Sequence, residues 1–372
     1  MGAVGSEGGD VARAAPAVRP DLVALSGYHS AQVDVSVRLN TNESPLPPPP
    51  EWLAELTASV GAVEFHRYPD RQALALRTAL GASHGVGPEQ IFCANGSNEV
   101  LQCLLLAYGG PGRQAAIFEP TYTLHAHIAR ITGTEVAAGS RSSDFALDLE
   151  EVARVMGECE PMLTFLCSPN NPTGRADTPE QVAATVALAP GLVVVDEAYG
   201  QFAPASALDL RSPDDGRVTD PERIAVVRTF SKTWSMAGAR LGYLVADPAV
   251  VEACELVALP YHLSAMTQLA GLLALGYVEA MESRMALVTS ERDRIAKVLA
   301  MLPVTSWPSD ANFLLFRPES KDAFTVWSDL VASSVLVRDC SSWPGLTGCL
   351  RVTVGLPEEN DLFLAALTES LR

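Results

Sequence analysis

Lysine is nearly absent from this chain. Among 372 residues only Lys232, Lys297 and Lys321 carry a primary side-chain amine, so chemistry that needs one has few places to occur. Lys297 lies in the charged helical stretch 291–297 and Lys321 in the polar turn 318–322, and both read as solvated. Positive charge is scarce in general: 26 lysines and arginines face 44 acidic residues, for a net charge of −18. That balance argues against a nucleic-acid partner, which needs a basic surface. Any anion must instead be held by a local arginine device. The seven cysteines form no C-x-x-C and no His-Cys cluster. Neither zinc nor a disulfide framework is expected, and core thiols of a reducing cytoplasm are. His125 and His127 have a metal-compatible spacing but no third ligand, and a helix surface is expected for both; His262 reads as structural. No apolar run reaches membrane-spanning length. The N-terminus lacks a secretory pattern, and no G-x-G-x-x-G follows a strand, which disfavours a dinucleotide cofactor.

What is present alternates. Residues 1–21 are Gly/Ala/Pro-rich and read as a disordered tail. Leu39 to Leu46 and the prolines at 47–50 are extended, a helix begins near Glu51, and an amphipathic helix runs from Arg71 to about Ser83. Apolar strands are expected at 91–94, 115–118, 162–167, 192–195, 224–227 and 241–246, with helices opening after several of them. Continuous apolar strands between helices indicate an α/β fold with a mostly parallel central sheet covered on both faces. From about 265 to 302 the pattern is helical, followed by strands at 312–316, 335–338 and 350–354 and a helix from Glu358. These compose a smaller α+β domain. The expected boundaries are 60–262 for the large domain, with 22–59 and 263–372 forming the small one.

The polar residues cluster at strand ends, where open α/β sheets bind ligands. Ser97, Tyr122, Asn171, Asp196, Tyr199, Thr229, Ser231 and Lys232 each fall within a few residues of such an end. A lysine between two buried strands is costly unless neutralised or employed, and desolvation frees its amine for Schiff-base chemistry. Lys232 at a strand end in an ion pair is the plain alternative. Asp196, after four apolar residues, stays ionised only beside a positive partner, unless it merely caps a helix. Together these groups fit pyridoxal 5′-phosphate (PLP), whose chemistry needs a lysine and an acidic partner for its ring nitrogen. Gly96-Ser97-Asn98 opening a helix offers backbone N–H groups to the phosphate, and Arg240, Ser231 and Thr229 can complete the grip. Asn171 and Tyr199 suit the phenolic oxygen, and Tyr122 can stack on the ring.

The motifs Ser168-Pro-Asn-Asn-Pro-Thr-Gly174, Asp196-Glu-Ala-Tyr199, Thr229-Phe-Ser-Lys232 and Ala237-Gly-Ala-Arg-Leu-Gly-Tyr243 resemble the fold-type I PLP aminotransferases. Within these, 39–43, 67–70, 94–99, 259–264, 309–313 and 350–355 are similar to the histidinol-phosphate aminotransferases, their actinobacterial forms in particular. The resemblance implies that Lys232 carries PLP, that Asp196 pairs with its ring nitrogen, and that Asn171 and Tyr199 pair with its phenolic oxygen. It implies a homodimer in which Tyr68 reaches the neighbouring subunit's cofactor phosphate. Arg351 would hold the substrate's acidic group, with Tyr28, Asn42, Asn98, Tyr122, Asn171, Tyr261 and Arg338 around the substrate. Read from the residues alone, a lone arginine in a strand such as Arg351 is more often a surface ion pair, and Tyr28 can merely pack the N-terminal arm. The chain departs from the family pattern at Ser44 and Leu46, near the expected substrate mouth. The implied reaction passes the amino group of histidinol phosphate to 2-oxoglutarate, as in histidine biosynthesis. Alternatives on the same fold are an aromatic aminotransferase, a phosphothreonine-type decarboxylase, or a non-catalytic effector sensor, the last lacking a preceding basic helix-turn-helix.

Overall fold

The computed structural model describes residues 16–23, 25, 27, 31–212 and 214–372; Tyr28 and residues 1–15 of the expected tail lie outside them. Of that tail, Pro20–Leu22 forms a short 3-10 turn. Among the described residues twelve strands build two sheets: β1 (Val37–Leu39), β2 (Ile91–Ala94), β3 (Gln114–Glu119), β4 (Glu135–Ser140), β5 (Leu163–Cys167), β6 (Leu192–Asp196), β7 (Ile224–Thr229), β8 (Gly242–Val245), β9 (Val304–Ser306), β10 (Phe313–Pro318), β11 (Val335–Asp339) and β12 (Leu350–Thr353). Seven of them are ordered β2-β8-β7-β6-β5-β3-β4. Every neighbouring pair is parallel except the two made by β8.

The apolar runs form strands because both faces of this sheet are covered. Along β6, Val193 and Val195 pack into one core and Val194 into another, with Val226 and Val227 dividing the same way on β7. Successive side chains point to opposite faces, so a strand buried on both sides has no position for a polar group until it ends. Cys167 pairs in register with Asp196, and Asp196 with Val227, so those ends lie level.

The second sheet is ordered β1-β11-β12-β10-β9, and its first strand comes from the N-terminal segment. Val335, Val337, Leu350, Val352, Leu314 and Phe316 face a core shared with Val326, Leu330 and Phe363. By alternation, Arg338 and Arg351 belong to the opposite face, and they are direct cross-strand partners.

Helices begin where side chains accept orphan backbone N–H groups: Asp247 from Ala249 at 2.9 Å and Ser264 from Thr267 at 3.1 Å. The single helical stretch expected after residue 265 is divided. Ala265–Ala274 and Val278–Leu299 are separate helices joined by a 3-10 turn, Leu275–Tyr277. Gly276 sits at the break, and glycine is a poor helix former. After β3 a helix spans Thr123–Ile131, and no helix among the described residues is long and apolar enough to cross a membrane.

Candidate active site

A cavity of about 370 Å³ is lined by the ends of the large sheet's strands, one face of the small sheet and the N-terminal segment at 41–43. Lys232 is half-buried in its wall. Its Nζ donates to the Thr41 carbonyl at 3.1 Å and stands 5.8 Å from the centre of the Tyr199 ring. Desolvation, reinforced by Arg351 and Arg240 and opposed by Glu43, lowers its pKa from the ordinary 10.5 to about 8. This amine is therefore free far more often than an exposed lysine's. Lys297 is exposed, and Lys321 is ion-paired with Asp329 at 2.9 Å.

Asp196 is almost fully buried at the end of β6. One carboxylate oxygen accepts the Ala198 N–H at 3.1 Å and the other lies 3.0 Å from His125 Nε2. The bond to Ala198 closes a turn and caps no helix, since the next helical turn is Gly200–Phe202 with Tyr199 before it, and the carboxylate lines the cavity. His125 corrects the expectation of a surface histidine. It is 0% exposed, stacked on Phe165 at 5.0 Å and set edge-on to Tyr122 at 5.4 Å. Its spacing to Ile128 and Ala129, which are also buried, is the helical i, i+3, i+4 signal that marks a buried face.

Opposite, the helix Ser97–Tyr108 points its N-terminus at the cavity. Gly96, at φ 79°, precedes it, and a Cβ there would lie 2.5 Å from Arg240 Nη2. The glycine therefore supplies a left-handed turn and room for a guanidinium. Thr229 Oγ1 donates to Ser231 Oγ at 3.0 Å, and Arg240 Nη1 reaches Ser231 Oγ at 3.4 Å. A Cβ at Gly242 would run into the Ser97 backbone, so the two strand ends meet only because that residue has no side chain. Backbone N–H groups, two hydroxyls and one arginine make a cup suited to an oxyanion.

Asn171 accepts from Arg351 Nη1, and Arg351 Nη2 donates to the Asn40 carbonyl at 3.0 Å. Arg351 is 5% exposed, with its guanidinium 5.1 Å from the Phe313 ring centre. A buried arginine with neutral partners differs from the surface ion pair weighed above. Asn42 Nδ2 donates to Tyr199 Oη at 2.9 Å, and Tyr122 Oη donates to Asn98 Oδ1 at 3.1 Å. Burial pushes the Tyr199 phenol above its ordinary pKa, against the lowering pull of Arg351 and the Asn42 bond. Arg338 completes this wall beside Trp343.

Twelve residues singled out from the sequence therefore line one cavity with Lys232, namely Asn42, Ser97, Asn98, Tyr122, Asn171, Asp196, Tyr199, Thr229, Ser231, Arg240, Arg338 and Arg351. Gly96 supports it from behind. Two do not line it: Tyr68 is 79% exposed and stacks on Tyr261 at 4.4 Å, outside the cavity of their own chain. Ser44 and Leu46 do not line it either; Ser44 Oγ instead accepts from Ser235 Oγ at 2.8 Å. Sequence reasoning missed Thr41, Glu43, Cys167 and Trp343 as lining residues, and His125 behind them.

A family model described as aminotransferase class I and II matches residues 35–367. A histidinol-phosphate aminotransferase of Frankia casuarinae is 47% identical, covering 95% of this chain and 90% of its own. The chain belongs to the class I and II aminotransferases, in the histidinol-phosphate aminotransferase family. A second relative of that name, from Corynebacterium efficiens, is 43% identical over 95% of this chain and 94% of its own. Among solved aminotransferases, the histidinol-phosphate aminotransferase of Sinorhizobium meliloti in complex with pyridoxal-5′-phosphate superimposes with a TM-score of 0.81 at 25% identity, covering 91% of each chain. An aspartate aminotransferase of Thermus thermophilus with maleate gives 0.77 at 23% identity, covering 91% of this chain and 92% of its own, and shares the fold. The expected fold-type I architecture is the one observed.

Proposed function

We infer that this chain is a PLP-dependent transaminase interconverting histidinol phosphate and 2-oxoglutarate with imidazole acetol phosphate and glutamate, in histidine biosynthesis. The observation that carries the chemistry is a desolvated amine sharing one cavity with a buried carboxylate and an oxyanion cup. The substrate reading is supported by the names of the relatives and by two arginines side by side on the facing sheet.

The residues present fit the cofactor. Lys232 Nζ is its attachment point. Asp196, oriented by Ala198 and His125, suits a protonated ring nitrogen. Asn171 and Tyr199 suit its phenolic oxygen, and Gly96, Ser97, Asn98, Thr229, Ser231 and Arg240 its phosphate, with Tyr122 against the ring. Bound there, PLP supplies an aldehyde carbon to receive the amino group and a ring that accepts charge from the substrate's Cα. With its Nζ free in the cavity wall, Lys232 would take up the proton from the substrate's Cα and give it back, acting as base and then acid. Arg351 grips the phosphate of one substrate and a carboxylate of the other, and its bonds to Asn171 and Asn40 hold the fork in place. Asn42, Asn98, Tyr122, Tyr261, Arg338 and Tyr28 surround the substrate in this reading. Tyr28 lies outside the described residues.

The assembly in this reading is a homodimer in which Tyr68 reaches the neighbouring subunit's cofactor phosphate. Its support is the exposure of Phe65, Tyr68, Leu256 and Leu259, at 71%, 79%, 86% and 75%, more apolar surface than a lone subunit has use for. A cytoplasmic location agrees with cysteines that are all free thiols.

Parallel assays with histidinol phosphate, phenylalanine and phosphothreonine test the substrate. Histidinol phosphate should give the highest kcat/KM with 2-oxoglutarate. A higher value for phenylalanine would replace this reading with an aromatic aminotransferase, and loss of carbon dioxide from phosphothreonine with a decarboxylase.

A further inference from the structure

Four cations line the cavity, Lys232, Arg240, Arg338 and Arg351, against two carboxylates, Asp196 and Glu43. Asp196 is taken up by His125 and the Ala198 N–H. Glu43 is exposed and has no ion-pair partner among the described residues; its carboxylate accepts from Thr41 Oγ1 at 3.0 Å. The stem that carries it is fixed by its neighbour Asn42, which turns the chain in the left-handed conformation at φ 54°, a region asparagine tolerates. Asn42 N–H donates to Thr353 Oγ1 at 3.0 Å, its carbonyl accepts from Asn312 Nδ2 at 3.2 Å, and its side chain donates to Tyr199 Oη at 2.9 Å. Glu43 works against its surroundings. It raises the Lys232 pKa that burial and the arginines lower, and it repels the anions that those arginines attract. A charge with two such costs is offset by a ligand group that it attracts.

We propose that Glu43 is a specificity-determining residue that accepts an N–H of the substrate's imidazole, and thereby favours that ring over an apolar ring or a second carboxylate. For the identity of the substrates this rests on the function proposed above. In that reading Lys232 Nζ meets the substrate's Cα. The same amine feels both Arg351 and Glu43, so a substrate placed there has an arginine for one arm and this carboxylate for the other. Histidinol phosphate carries a phosphate on one arm and an imidazole on the other. An imidazole, with a pKa of about 6.5, offers one N–H when neutral and two with a positive charge when protonated. A phenyl ring offers no donor. Glutamate has a carboxylate on each arm, so whichever one Arg351 holds, the other approaches Glu43 and is repelled.

The test follows the two half-reactions of the holoenzyme separately, through the cofactor's absorbance, in the wild type and in Glu43→Gln. The half-saturating concentration of histidinol phosphate should rise about fivefold relative to that of glutamate, the upper range for a solvent-exposed ion pair. Any change in the Lys232 amine is common to both half-reactions and leaves their ratio alone. A ratio that stays fixed or falls would overturn the proposal. Histidine and phenylalanine as competitors of glutamate separate this from failure of the substrate reading. If the wild type refuses histidinol phosphate while Glu43→Gln still weakens histidine about fivefold relative to phenylalanine, the substrate reading falls and the ring contact stands. Equal weakening of the two amino acids, or of neither, overturns the contact itself.

Discussion

In the large sheet the central strands are apolar for most of their length, with Thr164 and Arg228 as exceptions, and the polar groups of the cavity cluster where strands stop: Asp196 at the end of β6, Ser231 and Lys232 after β7, Ser97 after β2. In the small sheet the polar groups lie inside strands, with Arg338 in β11 and Arg351 in β12, alternating with Val337 and Val352. The first arrangement follows from burial on both faces, which leaves strand ends as the place for polar atoms. The second follows from a sheet with one face in its own core and the other toward the cavity. A site held by strand ends is fixed by the packing of the whole domain. A site on a sheet face turns with that sheet as one unit. In the proposed function the groups suited to the cofactor accordingly belong to the large sheet and those suited to the substrate's acid to the small one.

Two substitutions test that division most severely. Lys232→Ala removes the attachment point and the proton carrier together, so turnover should fall by about 10⁴-fold or more. The visible absorption band of lysine-bound cofactor should also vanish, and a normal band in this variant would refute the assignment. Arg351→Gln alters the small sheet directly and reaches the large one only through Asn171 and the charge felt by Lys232. It should lower kcat/KM by about 100-fold, the scale expected when one partner of a buried charged contact is lost, while cofactor retention measured by dialysis stays near wild type. Loss of cofactor from Arg351→Gln would break the division between the sheets.

His125→Phe probes the large sheet from behind. The substitution keeps the stack on Phe165 and removes the imidazole that partners Asp196. An unsatisfied buried acceptor costs about 1–3 kcal/mol, so the dissociation constant for PLP should rise about tenfold. Unchanged retention would mean that Ala198 N–H alone orients the carboxylate.

The strand-end residues were legible because their signal is local: an apolar run, then Asp196-Glu-Ala-Tyr199 or Thr229-Phe-Ser-Lys232. Arg351 was found by resemblance, since a single arginine in a strand does not reveal which side of the sheet it occupies. Once the register is seen, Val352 in the core and Arg338 across the ladder settle its direction. Trp343 carried no signal, because its contact with Arg338 depends on how a ten-residue excursion, 340–349, closes upon itself. Thr41 and Glu43 meet Lys232 across nearly 190 positions of sequence, a contact that no local pattern encodes. The stacked pair Tyr68 and Tyr261 lies outside the cavity of its own chain.

Charges from both sheets and from the N-terminal segment converge on one amine, which permits a finer test. A lysine with a pKa of about 8 is mostly protonated and unreactive below that pH and mostly free above it. The rate at which the cofactor-free protein captures PLP should therefore rise with pH through a midpoint near 8, well below the range of an ordinary lysine. Desolvation is the largest cause and will survive any single surface substitution. Arg351 lowers the pKa further and Glu43 raises it, so their replacements should shift the midpoint in opposite directions, upward for Arg351→Gln and downward for Glu43→Gln. Glu43 is exposed, and its carboxylate accepts from Thr41 Oγ1 at 3.0 Å. Water and salt screen its influence, so its shift should be the smaller one and should shrink as ionic strength rises. A salt-insensitive downward shift would mean that Glu43 acts by holding Thr41, whose carbonyl accepts from Lys232 Nζ, rather than through its charge.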